Sequence, residues 1–347
     1  MHRTIDKKDL VGRLEGLLKD FEVIGPAELP SKGIFYEPIT NAGDLYLGSG
    51  FTTEPVKRFF LNPSEWLFEA RFESGNNLLE EIPPPKGKRI IIGARPCEAR
   101  GLTLLDKVFD PSTGSGSNLS GVEGFDSEYK DNPYINNRKR TIIVGLSCIK
   151  PDRTCFCTSL EGSPVESRGM DAILHETEKG FVLEIVTDKG KDIFGSLGQD
   201  LSEDEIKSWQ IDKEKRENLV KAKIKIAKPE ILDKIFESDY WEKVSLSCLS
   251  CGICTYLCPT CHCFDLVDEK RRKLRCYDGC AFSDFTLEAS GVNPRPSKKE
   301  RYRQRAFHKF NYFKKNFGEN LCVGCGRCIR YCPVKIDISS IVDKAPV

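Results

Sequence analysis

Two cysteine runs with identical spacing constrain the fold of this chain more than any other feature of its sequence. Each run reads C-x2-C-x2-C-x3-C-P and is closed by a proline, at Pro259 and at Pro333. The cysteines of the two runs are Cys248, Cys251, Cys254 and Cys258, then Cys322, Cys325, Cys328 and Cys332. This spacing is the signature of bacterial two-cluster ferredoxins, in which the fourth cysteine of a run binds the cluster of the other run.

The x2 spacing allows one tight loop to bring three thiolates to three corners of a cubane, whereas the fourth cysteine points away. The proline has no N–H that needs a partner, and glycines let the loop approach inorganic sulfur closely. We therefore predict two [4Fe–4S] clusters. The first set of ligands is Cys248, Cys251, Cys254 and Cys332, and the second set is Cys322, Cys325, Cys328 and Cys258.

A pair of structural zinc sites is the alternative for these cysteines. Zinc takes four ligands, typically from two C-x2-C knuckles, and has no use for a third x2-spaced cysteine or for a repeated Cys-Pro. The 63 residues between Cys258 and Cys322 are also too many for a compact, β-rich ferredoxin. This interval predicts a helical ferredoxin.

A third set of cysteines follows two strand-like runs in the first half of the chain. Cys97 and Cys148 each come shortly after a β-branched run, and Cys155 and Cys157 lie in the loop beyond. If both strands run parallel in one sheet, their cysteines emerge at the carboxyl edge, where open α/β sheets bind ligands. We predict a third [4Fe–4S] cluster on this set. A zinc site with four cysteine ligands and free, redox-active thiols remain open as alternatives.

Several residues beside these sets have no assigned ligand role. Arg95 either tunes the third cluster by charge and hydrogen bonds or forms a surface salt bridge. His262 is expected to be hydrogen-bonded or exposed rather than catalytic. Four cysteines remain, and they form either a fourth cluster or buried thiols packed beside the first cluster: Cys261, Cys263, Cys276 and Cys280.

The composition divides the chain near residue 240. Residues 1–240 are predicted to form an α+β (or α/β) domain. Residues 241–347 hold twelve of the sixteen cysteines and are predicted to form a mostly helical, ferredoxin-like two-cluster domain. Helices are predicted over 6–20 and 202–236, strands at 33–39, 44–49, 57–61, 89–92, 141–145 and 181–190, and a flexible Gly/Ser-rich loop at 111–124.

The charge pattern gives no general reason to expect a nucleic-acid or membrane partner. The net charge is +1, the longest apolar runs are too short to cross a bilayer, and the charged N-terminus predicts a cytoplasmic protein without a signal peptide. Residues 295–315 carry nine Lys and Arg against one Glu, and Ala306, Phe310, Phe313 and Phe317 recur there at helical spacing. We expect the aromatic residues to pack inward and the basic ones to face solvent or an acidic partner, or to tune a cluster.

Common cofactor motifs are missing from the sequence. No G-x-G-x-x-G follows a predicted strand, and there is no P-loop or nucleophile elbow. We therefore expect no flavin, nicotinamide or substrate site in this chain. Electrons are expected to arrive from one protein and to leave to another.

The motifs together resemble the beta subunit of cytoplasmic sulfhydrogenases and the related iron–sulfur subunit of anaerobic sulfite reductase. The segments that carry the resemblance are "GARPCEARGLTLLD", "RKRTIIVGLSC", "CFC", "CLSCGICTYLCPTCHCFDL", "YDGCAF", "NPRPSKKERYRQR" and "CVGCGRCIRYCP". The resemblance implies an iron–sulfur relay that receives electrons from or gives them to a FAD- and NAD(P)-binding, ferredoxin-reductase-like subunit. At the other end it implies a terminal module of the [NiFe] hydrogenase, sulfite reductase or heterodisulfide-reductase-like type.

We therefore expect a non-catalytic electron-transfer subunit of an anaerobic oxidoreductase complex, with no substrate chemistry of its own. One alternative is a self-sufficient reductase whose substrate reacts at the third set. Another is a structural or nucleic-acid-associated iron–sulfur protein that uses residues 295–315.

Overall fold

Two β-sheets with helices around them make up the described part of the chain. The computed structural model describes residues 2–73, 76–110, 112 and 130–346. The strands are β1 His2–Ile5, β2 Phe21–Leu29, β3 Gly33–Pro38, β4 Ser64–Glu73, β5 Asn76–Glu81, β6 Lys88–Ala94, β7 Thr141–Leu146, β8 Ala172–Thr177, β9 Gly180–Ile185, β10 Gln199–Asp200, β11 Phe264–Glu269 and β12 Arg272–Tyr277. The helices are α1 Lys7–Leu17, α2 Pro96–Phe109, α3 Asn132–Arg140, α4 Asp188–Phe194, α5 Glu203–Glu217, α6 Pro229–Lys234, α7 Tyr240–Ser245, α8 Ile253–Tyr256, α9 Lys298–Phe307, α10 Phe313–Phe317, α11 Arg327–Arg330 and α12 Ile338–Asp343.

The larger sheet supplies the frame of the N-terminal half. Over the described residues its strand order is β10-β1-β9-β8-β7-β6-β2-β3. The central strands β2, β6, β7 and β8 are parallel, and the outer pairs are antiparallel. β6 and β7 are apolar and almost wholly buried, as expected for parallel strands covered on both faces. These two strands run parallel in one sheet, so the condition on which the third set of cysteines depends is met.

Helices cover both faces of this sheet. The Asp6 side chain caps the start of α1 by accepting from the Asp9 N–H over 2.7 Å. Leu10, Leu14 and Leu17 of α1 then pack on one face of the sheet. On the opposite face, α2 and α3 bury residues that include Ala99, Leu102, Leu105, Phe109, Tyr134 and Ile135. The core thus lies in two layers, one on each side of β6 and β7.

The smaller sheet joins the two halves of the chain. Its order over the described residues is β11-β12-β4-β5, with β12 antiparallel to β4. The prediction of a mostly helical segment over 241–347 is not confirmed, since the hairpin of β11 and β12 lies within it. The division at residue 240 stays a prediction, and this sheet contains strands from both sides of it.

Two predicted strands are wrong. Residues 44–49 and 57–61 form no strand, and short 3-10 turns lie at Ala42–Asp44 and Val56–Phe59 instead. Asn41 starts the first turn, because its side chain accepts from the Gly43 N–H over 2.8 Å. The predicted strand at 181–190 also ends early, at Ile185, where Thr187 caps α4.

One long helical segment organises the C-terminal half. α9 continues through a π-helical turn at His308–Tyr312 into α10. Ala306, Phe310 and Phe313 are buried, so the predicted inward-facing stripe is confirmed for these three residues. No helix among residues 2–73, 76–110 and 130–346 is long and apolar enough to cross a membrane. The predicted Gly/Ser-rich loop at 111–124 lies, apart from Ser112, outside the described residues.

Candidate iron–sulfur centres

The first set surrounds a cavity of about 500 Å³, the first cavity. All four thiols of the set lie on its lining, Cys248, Cys251, Cys254 and Cys332, and Cys328 lines it as well. Gly252 precedes α8 with a φ of 75°, and a Cβ there would lie 2.3 Å from Phe282 Cζ. Only glycine satisfies both this backbone and this space. Cys251 is exposed, so the first cavity lies near the protein surface.

The second set surrounds another cavity, of about 350 Å³, the second cavity. Its lining thiols are Cys258, Cys322, Cys325 and Cys328. Cys258 arrives from the first run, just as Cys332 of the second run reaches the first cavity. The structure therefore brings together the residues of each predicted set, including the exchange of the fourth cysteine.

The third set surrounds a cavity of about 310 Å³, the third cavity, at the carboxyl edge of β6 and β7. Cys97 lies in the first turn of α2, directly after β6, and Cys148 follows β7 by two residues. Cys155 and Cys157 line the cavity from the next loop. The structure brings these four cysteines together, as expected from two parallel strands with ligands at one edge.

The second run packs directly on the loop that carries Cys155 and Cys157. The Phe156 N–H donates to the Gly324 carbonyl over 2.9 Å. A Cβ at Gly324 would lie 2.6 Å from both the N and the Cα of Cys157, and the φ of Gly324 is 66°. Glycine at 324 is therefore required by the close approach of the third set as well as by its own backbone.

The three cavities lie in series and share walls. Cys328 and Arg305 line both the first and the second cavity. Cys325 lines both the second and the third. One cysteine of the second run thus separates each pair of neighbouring cavities.

The donor atoms fit a polynuclear cluster better than a single ion. In the part of the chain that the structure describes, no three His, Cys, Asp or Glu side chains are spaced to hold one metal ion. The thiols are spread around cavities instead, which disfavours tetrahedral zinc. Backbone N–H groups point at sulfur atoms, as expected around cluster thiolates: Ser250 N to Cys248 Sγ at 3.4 Å, Gly324 N to Cys322 Sγ at 3.5 Å and Ile336 N to Cys332 Sγ at 3.3 Å.

Burial affects the protonation of these thiols. Burial, together with neighbouring thiols, raises the pKa of Cys155, Cys157 and Cys322 to about 12. Burial raises the pKa of Cys97 well above its ordinary value. Without metal these groups are neutral thiols near pH 7, whereas ligands must be thiolates. Metal binding therefore releases protons from the protein.

Arg95 is buried beside the third cavity, so the surface salt bridge is wrong. Its guanidinium donates to the carbonyl oxygens of Ser147 at 3.0 Å, Gly48 at 2.6 Å and Gly50 at 2.7 Å. Ser147 directly precedes Cys148. Arg95 therefore holds the loop of Cys148 and places a positive charge near the third set.

Sequence reasoning missed a buried ion pair next to Cys325 and Cys97. Arg327 Nη2 donates to Glu98 Oε1 over 2.7 Å, and Arg327 also donates to the Thr52 carbonyl and hydroxyl. Nothing in the local sequence marks this pair, because its two members lie 229 positions apart.

Two basic residues of the 295–315 segment are buried, although we expected the basic side chains to face solvent or a partner. Arg305 is 5% exposed and Lys309 is 2% exposed. The buried face of this helical segment follows one helical spacing, which includes Tyr302, Arg305, Lys309 and Phe313. The spacing indicates that Arg305 and Lys309 are buried, but basic side chains are normally expected in solvent. The expectation that the basic side chains face solvent or an acidic partner is therefore wrong for these two residues, and the alternative that they tune a cluster stays a prediction.

The four remaining cysteines lie outside the three cavities: among the described residues that line them, none is Cys261, Cys263, Cys276 or Cys280. Cys261 Sγ lies 3.4 Å from Arg305 Nη1. His262 holds its Nδ1 3.0 Å from the Thr260 carbonyl oxygen, and burial lowers its pKa to about 4. The choice between a fourth cluster and packed thiols stays a prediction.

Two comparisons with known proteins agree with this geometry. A family model for a 4Fe-4S dicluster domain matches residues 247–336. The chain is 34% identical over 322 residues to Sulfhydrogenase 2 subunit beta of Pyrococcus furiosus. The aligned region covers 89% of this chain and 88% of that protein. No solved structure matches the chain. The protein is thus an iron–sulfur electron-transfer subunit of an oxidoreductase, and it belongs to the sulfhydrogenase beta-subunit family.

Proposed function

We propose that this chain carries electrons through three [4Fe–4S] sites of a cytoplasmic complex, from a flavin protein to a terminal catalytic module or in the reverse direction. One observation carries the proposal: three cavities lined by thiols lie in series and share their walls. When bound, a [4Fe–4S] cluster accepts and releases one electron at a time. The series arrangement supports a path through the chain rather than three isolated structural sites.

The ligand assignment follows the cavities. The first site takes Cys248, Cys251, Cys254 and Cys332, the second takes Cys258, Cys322, Cys325 and Cys328, and the third takes Cys97, Cys148, Cys155 and Cys157. Each set supplies four thiols and surrounds one cavity, which supports four-cysteine ligation at each site.

The protein's own part is to hold thiolates and to exclude water. Phe156, Val323 and Ile338 line the second cavity, and Phe51 and Val220 line the third. These apolar walls lower the local dielectric and keep solvent from the sulfur atoms, two ways in which a protein sets a reduction potential. Backbone N–H groups that donate to the sulfur atoms of Cys248, Cys322 and Cys332 also affect the reduction potential.

The two ends of the series differ in their access to solvent. Cys251 at the first cavity is exposed, whereas Cys148 and Cys155 at the third are buried. The exposed thiol supports the first site as the place where a partner's redox centre approaches. The third site sits within the N-terminal α/β half, and its partner would bind over that half.

The identity of the partners rests on similarity. The relative's name, Sulfhydrogenase 2 subunit beta, supports a hydrogenase-type terminal module. For the other end of the series, the resemblance of the motifs supports a FAD- and NAD(P)-binding, ferredoxin-reductase-like subunit. It also leaves a sulfite reductase or a heterodisulfide-reductase-like unit as the terminal module. We propose no substrate chemistry in this chain itself.

The test uses the full chain, purified and loaded without oxygen. Dithionite should reduce three clusters, seen by electron paramagnetic resonance, yet the chain alone should neither evolve hydrogen nor reduce sulfite or sulfur. Adding the co-encoded subunits should restore turnover. Turnover by the isolated chain that is lost in Cys157→Ser would instead establish the self-sufficient reductase.

A further inference from the structure

Three buried cations lie around the Cys258–Cys261 segment. Lys57, Arg305 and Lys309 are 2%, 5% and 2% exposed. Within residues 2–73, 76–110 and 130–346, none of the three forms an ion pair with Asp or Glu. A buried charge without an opposite charge is strongly unfavourable. Some anionic group must therefore compensate these cations in the working protein.

The contacts of the three cations converge on two neighbouring residues, Thr260 and Cys261. Lys309 Nζ donates to Thr260 Oγ1 over 2.8 Å, and Lys57 Nζ donates to the Cys261 carbonyl over 2.7 Å. Arg305 Nη1 lies 3.4 Å from Cys261 Sγ. All three charges thus gather beside Cys258, the thiol that the first run contributes to the second cavity.

The helix geometry aims Lys309 into the interior. Lys309 is the second residue of the π-helical turn His308–Tyr312. Such turns are rare, and they are frequent at functional sites because the extra residue re-directs the side chains around it. Lys309 lies on the lining of the second cavity.

The other cavities lack this arrangement. Arg305 lines the first and second cavities, whereas Lys309 lines the second and not the first or third. Near the third set, Arg327 is neutralised by Glu98, and Arg95 is occupied by backbone carbonyls. The second cavity therefore has the largest uncompensated positive charge of the three.

A reduced cluster carries one more negative charge than an oxidised one, so a nearby cation favours the reduced form and raises the potential.

We propose that Lys309, assisted by Arg305, makes the second site the highest-potential site of the series. The second site is then the one that is preferentially reduced while an electron passes between the first and the third. This inference rests on the proposed function, because it assumes clusters at the three cavities. Lys309 is a positioning residue, since it acts on the cluster through charge and Thr260 rather than as a ligand.

The experiment is a redox titration of the full, anaerobically loaded chain, followed by electron paramagnetic resonance. Signals are first assigned with Cys251→Ser, Cys322→Ser and Cys97→Ser, one ligand from each set. Lys309→Met should lower the reduction potential of the second site by at least about 59 mV. For a one-electron couple this corresponds to a tenfold change in the ratio of reduced to oxidised cluster. Lys309→Arg should keep the potential, and Lys314→Met, farther along the same helical segment, should leave all three unchanged.

Two results would overturn the inference. One is a second-site potential in Lys309→Met that matches the unmodified chain, and the other is an equal shift at all three sites. If Lys309→Met fails to take up iron, Lys309→Gln provides the neutral side chain with a polar end, and the same comparison applies. Failure of the proposed function would look different, because the unmodified chain would then show fewer than three assignable clusters.

Discussion

The Arg327 guanidinium donates to the Glu98 carboxylate over 2.7 Å, with the two side chains 2% and 0% exposed. Arg327 lies between Cys325 and Cys328, and Glu98 directly follows Cys97. This single contact therefore fastens the second cysteine run to the helix that begins the third set. Glu98 also accepts hydrogen bonds from the Tyr36 hydroxyl and, over 2.9 Å, from the Arg95 N–H.

Removing the cation should destabilise the protein strongly. Arg327→Met leaves the Glu98 carboxylate buried without a partner, which should lower the free energy of unfolding by about 3–5 kcal/mol. Anaerobic denaturant unfolding measures this loss. Arg168→Met is the matched control, because Arg168 is partly exposed in its pair with Glu319 and should cost under about 1 kcal/mol. Equal losses in the two variants would contradict the role of burial.

Iron content tests the number of sites. Three four-iron clusters predict about twelve irons per chain after anaerobic purification, and Cys97→Ser should retain about eight. About eight in the unmodified chain would remove the third site, and about sixteen would assign a fourth to the remaining cysteines. Unchanged iron in Cys97→Ser would show that the N-terminal assignment is wrong.

The exchange of the fourth cysteine between the runs has its own test. Cys332 belongs to the second run but lines the first cavity. Cys332→Ser should therefore remove the same paramagnetic signal as Cys251→Ser, and not the signal lost in Cys322→Ser. The reverse pairing would mean that each run binds its own cluster.

A methyl group at Gly324 should disturb two sites at once. The added Cβ would meet the backbone of Cys157 at 2.6 Å, so the second and third sets cannot keep their present separation. Gly324→Ala should lose iron from both sites and retain the first. Gly318→Ala is the control, since its φ is 75° but no atom lies within 4 Å of the added group. Comparable iron loss in both variants would point to backbone strain alone.

Acid sensitivity should arise in the large sheet. Burial lowers the pKa of His175 to about 4, although the Glu184 carboxylate, 3.5 Å away, opposes this shift. In the unfolded chain a histidine takes up its proton near pH 6.5. The contribution of His175 to the free energy of unfolding should therefore fall by about 3 kcal/mol as pH drops from about 6.5 to 4, and the buried His262 adds its own fall over the same window. A replacement by glutamine should make the curve shallower in this window by the His175 contribution, and an unchanged slope in His175→Gln would refute the assignment.

The cysteine sets were predictable because ligand spacing is local. Three x2-spaced cysteines define one loop, and two parallel β-branched strands define one sheet edge, so each predicted set surrounds its own cavity. Arg305 and Lys309 were harder, because basic side chains on a helix are normally solvated and only an anionic cofactor justifies their burial. The prediction of a strand at residues 57–61 is wrong because a short apolar run can cover the core from a 3-10 turn as well as from a strand. The pattern of apolar and polar residues does not distinguish the two over so few positions.

The contact of β12 with β4 lay beyond any local pattern. Cys276 pairs with Ser64 across more than two hundred residues, and no periodicity in either strand specifies the partner. Such pairing depends on tertiary contacts. Here Arg275 of β12 forms ion pairs with both Glu65 and Asp131.

That shared sheet has a consequence for how the protein can be dissected. A cut after residue 240 would separate β12 from β4. Each fragment would then have an edge strand with unpaired N–H and C=O groups, which promotes aggregation. The C-terminal half therefore cannot be treated as a detachable ferredoxin, and swapping it between relatives would require its hairpin to meet a compatible strand from the other half.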